Sequence, residues 1–482
     1  MRIQVSRNQF IHGTVWKVIE TFMSVGVSFV VSLLLARLLT PNDFGVIALS
    51  NVFINFSEIL LQSAFSAPLI QKENIDDVDY TSVLTFSLLI SLVLYFIVFA
   101  FAPAFSSLYN QERITGVLRV ISLSFIFQAF GSVRTAIVSR QMRFKMLSIY
   151  TVIASVLSGI AGIVFAMLGY GVWALVIQKL FYQVVLNVVL FIAIKWKPTF
   201  KGLSFGRVKE LLSFGSKVLG SSFVSYISDS SISLITGKYY SVSALGYSSK
   251  GVQYPCDLSI FSFQAVATTL FPTLASYQDN KNLQKQIMRK VVSVVAYVLF
   301  PMMIGLFVVS KSFIIFLLTE KWLLSVPFMK IACVYYCATP LMLINVQLFH
   351  SIGNGRARLL FETVKLILTL GVIFVGVFLL DLSLQTIFII RTGIEILIAL
   401  MSIVGLKKAI NYTVKEYLFD LLAPMLQTVI MILAVTYIGS ILSVSITVVL
   451  IIQIFTGIVV YLLLSILIKP NGFLEIKKVL FV

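Results

Sequence analysis

Charged residues, histidines and cysteines are all scarce in this sequence, and each shortage excludes a class of protein. Only 12% of the 482 residues are charged, whereas soluble domains carry about 25%. The two histidines lie in separate parts of the chain, and the three cysteines lie in apolar runs without the spacing of a disulfide framework or a zinc site. These shortages exclude a soluble enzyme, a nucleic-acid-binding domain and a disordered protein.

Hydrophobic residues are abundant instead. They make up 59% of the chain, and at about 20 apolar residues per membrane-spanning helix they predict about fourteen spans. The first apolar run is too long for a signal-peptide core, so it is predicted to be a retained helix. We therefore expect an all-α polytopic membrane protein with transmembrane helices near residues 14–36, 44–68, 82–104, 117–138, 149–168, 172–194, 215–236, 245–272, 291–318, 328–349, 361–380, 385–406, 418–438 and 445–468.

The distribution of Lys and Arg predicts the orientation of the chain. Most of the 37 cationic residues fall in alternate connections between spans, and basic loops remain in the cytoplasm. Both termini are therefore predicted to be cytoplasmic, and topology accounts for most of the net charge of +18. The connections on the opposite side are short, which argues against an external catalytic domain.

An internal repeat and a linker divide the chain in two. Ala36–Val46 aligns without a gap on Gly237–Tyr247, so that Gly45 coincides with Gly246. Six predicted spans separate the copies, which gives both halves the same polarity, as in parallel-repeat transporters. The cationic amphipathic segment between them is typical of an interfacial linker. We expect a six-helix bundle at 1–194, the linker at 195–214, a second six-helix bundle at 215–406, and two additional transmembrane helices with a cytoplasmic tail at 407–482.

Nine short motifs carry a resemblance to a known family. They are Ala36–Gly45, Arg140–Lys145, Gly169–Val176, Trp196–Pro198, Ser213–Gly215, Leu245–Tyr247, Phe271–Leu274, Thr319–Trp322 and Gly353–Arg356. Over about residues 10–410 the chain resembles the Wzx-type flippases of the polysaccharide-transporter branch of the MOP (multidrug/oligosaccharidyl-lipid/polysaccharide) superfamily. Exporters of the colanic-acid and teichuronic-acid type are the most similar in their motifs.

The resemblance implies a transporter, not an enzyme, in the bacterial plasma (inner) membrane. It implies that undecaprenyl-diphosphate-linked oligosaccharide repeat units move from the cytoplasmic to the outer leaflet by alternating access, for O-antigen, capsule or exopolysaccharide biosynthesis. Membrane lipid and other polysaccharide assembly proteins are the further partners implied. No cofactor is expected. A phosphate-binding Gly-x-x-x-x-Gly-Lys-Ser/Thr motif is absent from the sequence, which leaves coupling to a proton or sodium gradient, or facilitated movement.

The eighth predicted span carries polar and aromatic residues on one stripe. They recur every three or four residues, which places them on one helical face, and ionisable residues within spans tend to face an interior cavity. Aromatic faces and amides suit sugar rings, and a lysine suits a diphosphate. The alternative is a helix–helix seam with an internal Lys–Asp pair. The candidate cavity residues of this span are Tyr247, Lys250, Tyr254, Asp257 and Gln264.

Other spans contribute further candidates on the same argument. Asp229 lies in a serine-rich span, where it could pair with Lys250 or act as a protonatable coupling site. Arg391 is four residues from Glu395 and could simply pair with it. Lys17 could instead extend to the interface. The remaining cavity candidates are Lys17 and Glu20 of the first span, Asn55 and Glu58 of the second, and Lys179 and Gln183 of the sixth.

Four other ionisable residues are expected to serve no site. They lie close enough to predicted span ends for their side chains to reach the interface: Arg134, Lys330, Glu362 and Lys365.

Two alternative functions remain beside the flippase. A drug/cation antiporter of the MATE type, from the same superfamily, would be expected to have an acidic cavity in the first half, whereas Lys17 and Lys179 offset Glu20 and Glu58 here. A membrane-embedded polymerase or acyltransferase would be expected to have a sizeable external loop or a catalytic His/Asp set.

Overall fold

The structure, a computed structural model, describes residues 7–72, 75–141, 143–199, 205–442 and 444–480. The described chain is all-helical. Fifteen main helices follow one another; α2, α4, α10 and α11 include irregular turns, and a separate π-helical turn, Thr236–Tyr240, follows α7. They are α1 (Arg7–Leu38), α2 (Pro41–Gln71), α3 (Asp77–Leu108), α4 (Arg113–Arg140), α5 (Phe144–Met167), α6 (Val172–Ala193), α7 (Phe205–Ile235), α8 (Val242–Ser276), α9 (Lys281–Leu318), α10 (Glu320–Ser351), α11 (Arg356–Leu379), α12 (Leu384–Ile410), α13 (Val414–Ile441), α14 (Ile446–Ile468) and α15 (Asn471–Leu480).

Eleven of the described helices are long and apolar enough to cross a membrane: α2 to α6 and α9 to α14. Their outward faces are rich in exposed Leu, Ile, Val and Phe, as lipid-facing helices require. The expectation of a multi-pass all-α membrane protein is therefore confirmed. The count of fourteen spans stays a prediction.

The chain divides into two compact units, Met1–Gly246 and Tyr247–Val482. In the first unit α5 packs against α1 and α6, and α7 packs against α2. In the second unit α9 contacts α10, α13, α14 and α15, and α12 packs on α10. The predicted linker, residues 195–214, lies within the first unit by this division; the predicted four-part organisation stays a prediction.

Local capping sets where several helices begin. Thr40 and Asp43 form a reciprocal capping box at the start of α2, with Pro41 in its first turn. Asp76 and Asp79 form the same arrangement at the start of α3. Each box satisfies backbone N–H groups that the first helical turn leaves without a partner. The polar residues between apolar runs therefore act as helix boundaries.

The two glycines that coincide in the sequence repeat occupy reciprocal positions in the structure. A Cβ atom on Gly45 would lie 1.8 Å from the carbonyl oxygen of Val242, and one on Gly246 would lie 1.9 Å from that of Pro41. Pro41 and Val242 begin α2 and α8 and coincide in the same alignment. Only glycine allows two backbones to approach this closely. The contact supports the internal repeat, although a pair of six-helix bundles related by it stays a prediction.

Candidate functional site

A polar cavity of about 360 Å³ opens inside the first unit. Five helices contribute to its wall: α1, α2, α4, α5 and α6. Hydroxyl and amide side chains are prominent, which is unusual inside a membrane protein because polar groups are costly to bury there. The lining residues are Ser24, Ser28, Val31, Ile54, Asn55, Glu58, Ser124, Gln128, Ser155, Ser158, Gln178, Lys179, Tyr182 and Gln183.

Four of the sequence-predicted site residues meet in this cavity. Asn55 and Glu58 come from α2, and Lys179 and Gln183 come from α6. Helical spacing placed each pair on one face, and the packing of α2 and α6 in one unit brings the two pairs to a common space.

Protein groups hold the two charges of this cavity wall. The Lys179 ammonium donates a hydrogen bond to the Asn51 side-chain carbonyl oxygen. The Gln62 amide donates to the Glu58 carboxylate at 2.9 Å. Lys179 and Glu58 also interact electrostatically. The opposite charges compensate each other.

Ser124 and Gln128 of α4 are lining residues that sequence reasoning missed. The Ser124 side chain is 2% exposed. Within the part of the chain that the structure describes, neither the Ser124 hydroxyl nor the Gln128 carbonyl oxygen has a hydrogen-bond partner. Their four-residue spacing on an apolar span was the available signal, but serine and glutamine are common at helix–helix contacts.

Among the predicted residues of the first unit whose side chains are described, Asp229 is the one that does not line this cavity. Asp229 is exposed on α7. On the same helix, the Tyr226 hydroxyl donates to the Val52 carbonyl oxygen, which fixes α7 against α2. The side chains of Lys17 and Glu20, like that of Gln264 in the second unit, lie outside the described residues.

The predicted α8 stripe is packed inside the second unit. Lys250 is 4% exposed, and its ammonium donates to the Gln253 carbonyl oxygen at 2.9 Å. Asp257 interacts electrostatically with Lys250 and accepts a hydrogen bond from Gln253. Tyr254 is 1% exposed and packs edge-on against Phe313. This arrangement has the contacts of a helix–helix seam with a Lys–Asp pair; a role in a substrate cavity stays a prediction.

Tyr247 lies at the start of the second unit. Its ring packs edge-on against Trp322, with the ring centroids 5.9 Å apart. Trp322 is fully buried. Tyr247 therefore anchors α8 to the first turn of α10.

A second polar cluster lies among α10, α11 and α12, and it corrects one expectation. Lys365 is 6% exposed and Glu395 is fully buried, and their charged atoms are 3.0 Å apart. The Thr339 hydroxyl donates to Glu395 at 2.9 Å. The expectation that Lys365 extends to the interface was therefore wrong: its nearest counter-charge is inside the protein.

Arg391 lies at the edge of the same cluster. Its guanidinium is 5.3 Å from the centre of the Tyr335 ring, and Lys365 donates to the Tyr335 hydroxyl at 3.0 Å. Glu362 is 4% exposed and Arg134, in the first unit, is 5% exposed. For these two residues an interfacial position stays a prediction.

An apolar groove of about 500 Å³ lies in the second unit. Helices α8, α9, α13 and α14 form its walls. Almost all of its lining atoms are apolar, in contrast to the cavity of the first unit. The lining residues include Leu258, Met302, Gly305, Phe313, Met431, Val435, Gly457, Ile458 and Leu462.

Ion pairs hold the C-terminal helices against the rest of the second unit. Arg289 of α9 makes a two-pronged contact with Asp420 of α13, at 2.7 and 2.8 Å. The Tyr412 hydroxyl also donates to Asp420, at 2.6 Å. Lys285 pairs with Glu416 at 2.7 Å. Two walls of the apolar groove, α9 and α13, are thus fixed to each other.

No group of three or more His, Cys, Asp or Glu residues that could hold a metal ion occurs within the described ranges.

The fold defines the class of protein first. The structure superimposes on the lipid II flippase MurJ in its inward closed conformation with a TM-score of 0.74 at 16% identity, covering 95% of this chain and 99% of that one. It superimposes on an inward-facing MATE-family multidrug resistance transporter of the MOP superfamily with a TM-score of 0.63 at 15% identity, covering 82% and 94%. The chain therefore has the fold of the MOP superfamily, as the sequence motifs predicted.

The family follows from the sequence comparison. The profile described as polysaccharide biosynthesis protein matches residues 34–327, which is more than half of the chain. The chain belongs to this family.

Three curated relatives carry names from polysaccharide pathways. The succinoglycan biosynthesis transport protein ExoT of Rhizobium meliloti is 23% identical over 361 residues, covering 75% of this chain and 73% of that protein. The teichuronic acid biosynthesis protein TuaB of Bacillus subtilis is 23% identical, covering 73% of each chain. The lipopolysaccharide biosynthesis protein WzxC of Escherichia coli is 24% identical, covering 73% of this chain and 70% of that protein. The predicted resemblance to polysaccharide transporters is confirmed.

Proposed function

We propose that this protein is a flippase that moves undecaprenyl-diphosphate-linked oligosaccharide repeat units from the cytoplasmic to the outer leaflet of a bacterial plasma membrane. The movement would use alternating access between two six-helix bundles, with two additional C-terminal spans and both termini in the cytoplasm. The product would serve surface polysaccharide biosynthesis. Family membership and the fold shared with a lipid II flippase support this proposal.

The polar cavity of the first unit is the observation that carries the proposal. A sugar chain cannot cross hydrocarbon unaided, because its hydroxyl groups would lose their hydrogen bonds to water. Ser124, Gln128 and Gln183 offer hydroxyl and amide groups in a cavity enclosed by apolar helices. Such a lining replaces the lost hydration while the outer surface of the unit contacts lipid.

The apolar groove of the second unit suits the other part of the same substrate. A polyprenyl chain needs an apolar surface, and the groove is lined by aliphatic, aromatic and methionine side chains. Helices α13 and α14 thereby acquire a role in binding lipid that the sequence did not indicate. One protein would thus offer separate polar and apolar surfaces to an amphipathic substrate.

The energy source is part of the proposal. No cofactor is needed, and transport would be either facilitated or coupled to a proton or sodium gradient. Proteoliposomes that contain the full chain test this directly. An imposed proton or sodium gradient that changes the flipping rate indicates coupling to that ion, and an unchanged rate indicates facilitated movement.

Depletion of the protein in its own cells tests the function. We expect surface polysaccharide to fall and lipid-linked repeat units to accumulate on the cytoplasmic leaflet, because synthesis continues while translocation stops. Restoring the wild-type gene should reverse both changes. Unchanged surface polysaccharide together with unchanged lipid-linked intermediates would show that the function is different.

A drug/cation antiporter is the second candidate, because the fold is shared with a MATE-family transporter. The two charges of the described cavity wall, Lys179 and Glu58, compensate each other, which does not favour a cationic drug. An efflux assay with cationic dyes separates the two functions. Dye export from cells that overproduce the protein, without any effect on lipid-linked glycans, would favour the antiporter.

A further inference from the structure

The cavity of the first unit has many neutral hydrogen-bonding groups and a balanced charge. Of its described lining residues, Lys179 and Glu58 carry charge, and the two charges have opposite signs. The other polar lining residues are serines, asparagine, glutamines and a tyrosine. Such a set matches the donors and acceptors of sugar hydroxyls.

Lys179 is poorly placed to serve as a phosphate ligand. Its ammonium donates to Asn51, and the Glu58 carboxylate provides a counter-charge in the same cavity. A diphosphate brought near this pair would meet the negative charge of Glu58 as well as the positive charge of Lys179. Strong phosphate sites instead present cations and N–H groups to the anion without a competing carboxylate.

Ser124 and Gln128 supply an independent sign of a ligand. Ser124 lines the cavity, and its side chain is almost fully buried, with 2% exposed. The described residues provide no hydrogen-bond partner for its hydroxyl or for the Gln128 carbonyl oxygen. Buried polar atoms are normally satisfied. Because the two residues are four apart on α4, both face the same part of the cavity.

We propose that this cavity is the subsite for an uncharged sugar ring of the lipid-linked glycan, and that the diphosphate binds elsewhere. A sugar hydroxyl accepts a hydrogen bond from Ser124 and another donates one to Gln128. The Lys179–Glu58 pair keeps the cavity electrically neutral. The inference rests on the proposed flippase function and specifies which part of the substrate this site binds.

The test uses the full-length protein in proteoliposomes and two polyprenyl-diphosphate lipids, one with a neutral disaccharide and one without sugar. Flipping of the labelled glycan lipid is measured, and the sugar-free lipid is added as a competitor. The double variant Ser124→Ala/Gln128→Leu should raise the KM for the glycan lipid about tenfold, as expected for the loss of two neutral hydrogen bonds. The inhibition constant of the sugar-free lipid, measured at several concentrations of the glycan lipid, should stay unchanged.

The charged pair provides the second readout. Lys179→Met leaves Glu58 alone in the cavity and should raise the KM for the glycan lipid about tenfold or more, because an unpaired charge in a membrane interior is costly. Lys179→Met/Glu58→Gln restores neutrality and should return the KM to within about threefold of wild type, since the hydrogen-bonding groups remain. Ser132→Ala on the same helix is the matched control, because its hydroxyl already donates to the Ala129 carbonyl oxygen at 2.8 Å.

Two results would overturn the inference while leaving the flippase intact. One is equal weakening of the glycan lipid and the sugar-free competitor in Ser124→Ala/Gln128→Leu. The other is a KM for the glycan lipid that is as high in Lys179→Met/Glu58→Gln as in Lys179→Met, together with weaker binding of the sugar-free competitor in both variants. That result would assign the diphosphate to Lys179. A wild-type protein that flips no lipid-linked glycan would instead overturn the proposed function and this inference together.

Discussion

At the scale of single residues, the Lys365–Glu395 pair is a buried ion pair of the second unit, with its charged atoms 3.0 Å apart. Removing one partner leaves the other charge buried, which typically costs about 3–5 kcal/mol, whereas replacing both by apolar groups costs far less. We expect Lys365→Met and Glu395→Gln each to have a clearly lower unfolding temperature in detergent than the wild-type protein. The double variant Lys365→Met/Glu395→Leu should be more stable than either single variant.

The control for this pair is Lys407→Met, which removes an exposed cation near the end of α12 and should leave the unfolding temperature almost unchanged. Purely additive losses in the double variant would contradict the pairing.

Asp76 gives a prediction about pH at the same scale. The Arg207 guanidinium, hydrogen-bonded to Asp76, lowers the pKa of this carboxyl below its ordinary value of 3.8. Because the pKa of this carboxyl is lower in the folded than in the unfolded protein, its charged form stabilises the folded state at pH values above the pKa of the unfolded protein. That stabilisation is lost as the pH falls through the pKa of the folded protein. Asp76→Asn keeps a good helix cap and removes the charge. Its unfolding temperature should be below wild type at pH 7, and the difference should shrink as the pH falls below the ordinary value of 3.8.

The salt dependence provides the check on Asp76. The wild-type advantage over Asp76→Asn should shrink at 1 M salt, because the pair with Arg207 is exposed and screened. A difference that is independent of both pH and salt would show that the cap, and not the charge, stabilises the start of α3.

At the scale of helices, the crossing of α2 and α8 depends on two glycines. An added Cβ would meet a carbonyl oxygen at 1.8 Å for Gly45 and at 1.9 Å for Gly246. Gly45→Ala and Gly246→Ala must therefore push the helix ends apart, at a cost of about 1–3 kcal/mol for overpacking. We expect lower unfolding temperatures for both variants and altered flipping rates.

Gly371 of α11 is the matched control, because nothing lies within 4 Å of the Cβ it would gain. Gly371→Ala should be neutral or stabilising, by up to about 1 kcal/mol, since alanine favours the helix. Equal behaviour of all three variants would show that the crossing is looser than the structure describes.

At the scale of the whole molecule, the proposed function needs the apolar groove as well as the polar cavity. Gly305 lies in the groove wall, and its nearest neighbour would be the Met431 methyl group, 3.7 Å from an added Cβ. Gly305→Leu therefore fills space without a backbone clash. We expect slower flipping with an almost unchanged unfolding temperature, because the side chain occupies the volume of the lipid chain.

Gly371→Leu, which adds the same side chain away from the groove, should flip at the wild-type rate. Full activity of Gly305→Leu would show that the polyprenyl chain does not use this groove.

The sequence predicted the candidate site in part, and the successes and failures have different physical causes. Asn55 with Glu58 and Lys179 with Gln183 were found because helical periodicity places each pair on one face. Ser124 and Gln128 were missed because neither residue is unusual by itself in a span. Lys365 was misjudged because its distance from a span end says nothing about the counter-charge on a neighbouring helix.

The sequence alone determined the class of this protein. A bilayer accepts only helices or closed barrels whose backbone groups are satisfied internally, so long apolar runs were sufficient to predict an all-α membrane protein, and the ordered motifs were sufficient to predict its family. Only the tertiary structure decided which polar residues share a space. Glu58 and Lys179 lie far apart in the chain, and helix packing alone, which depends on the shapes of many side chains at once, brings them to one cavity wall.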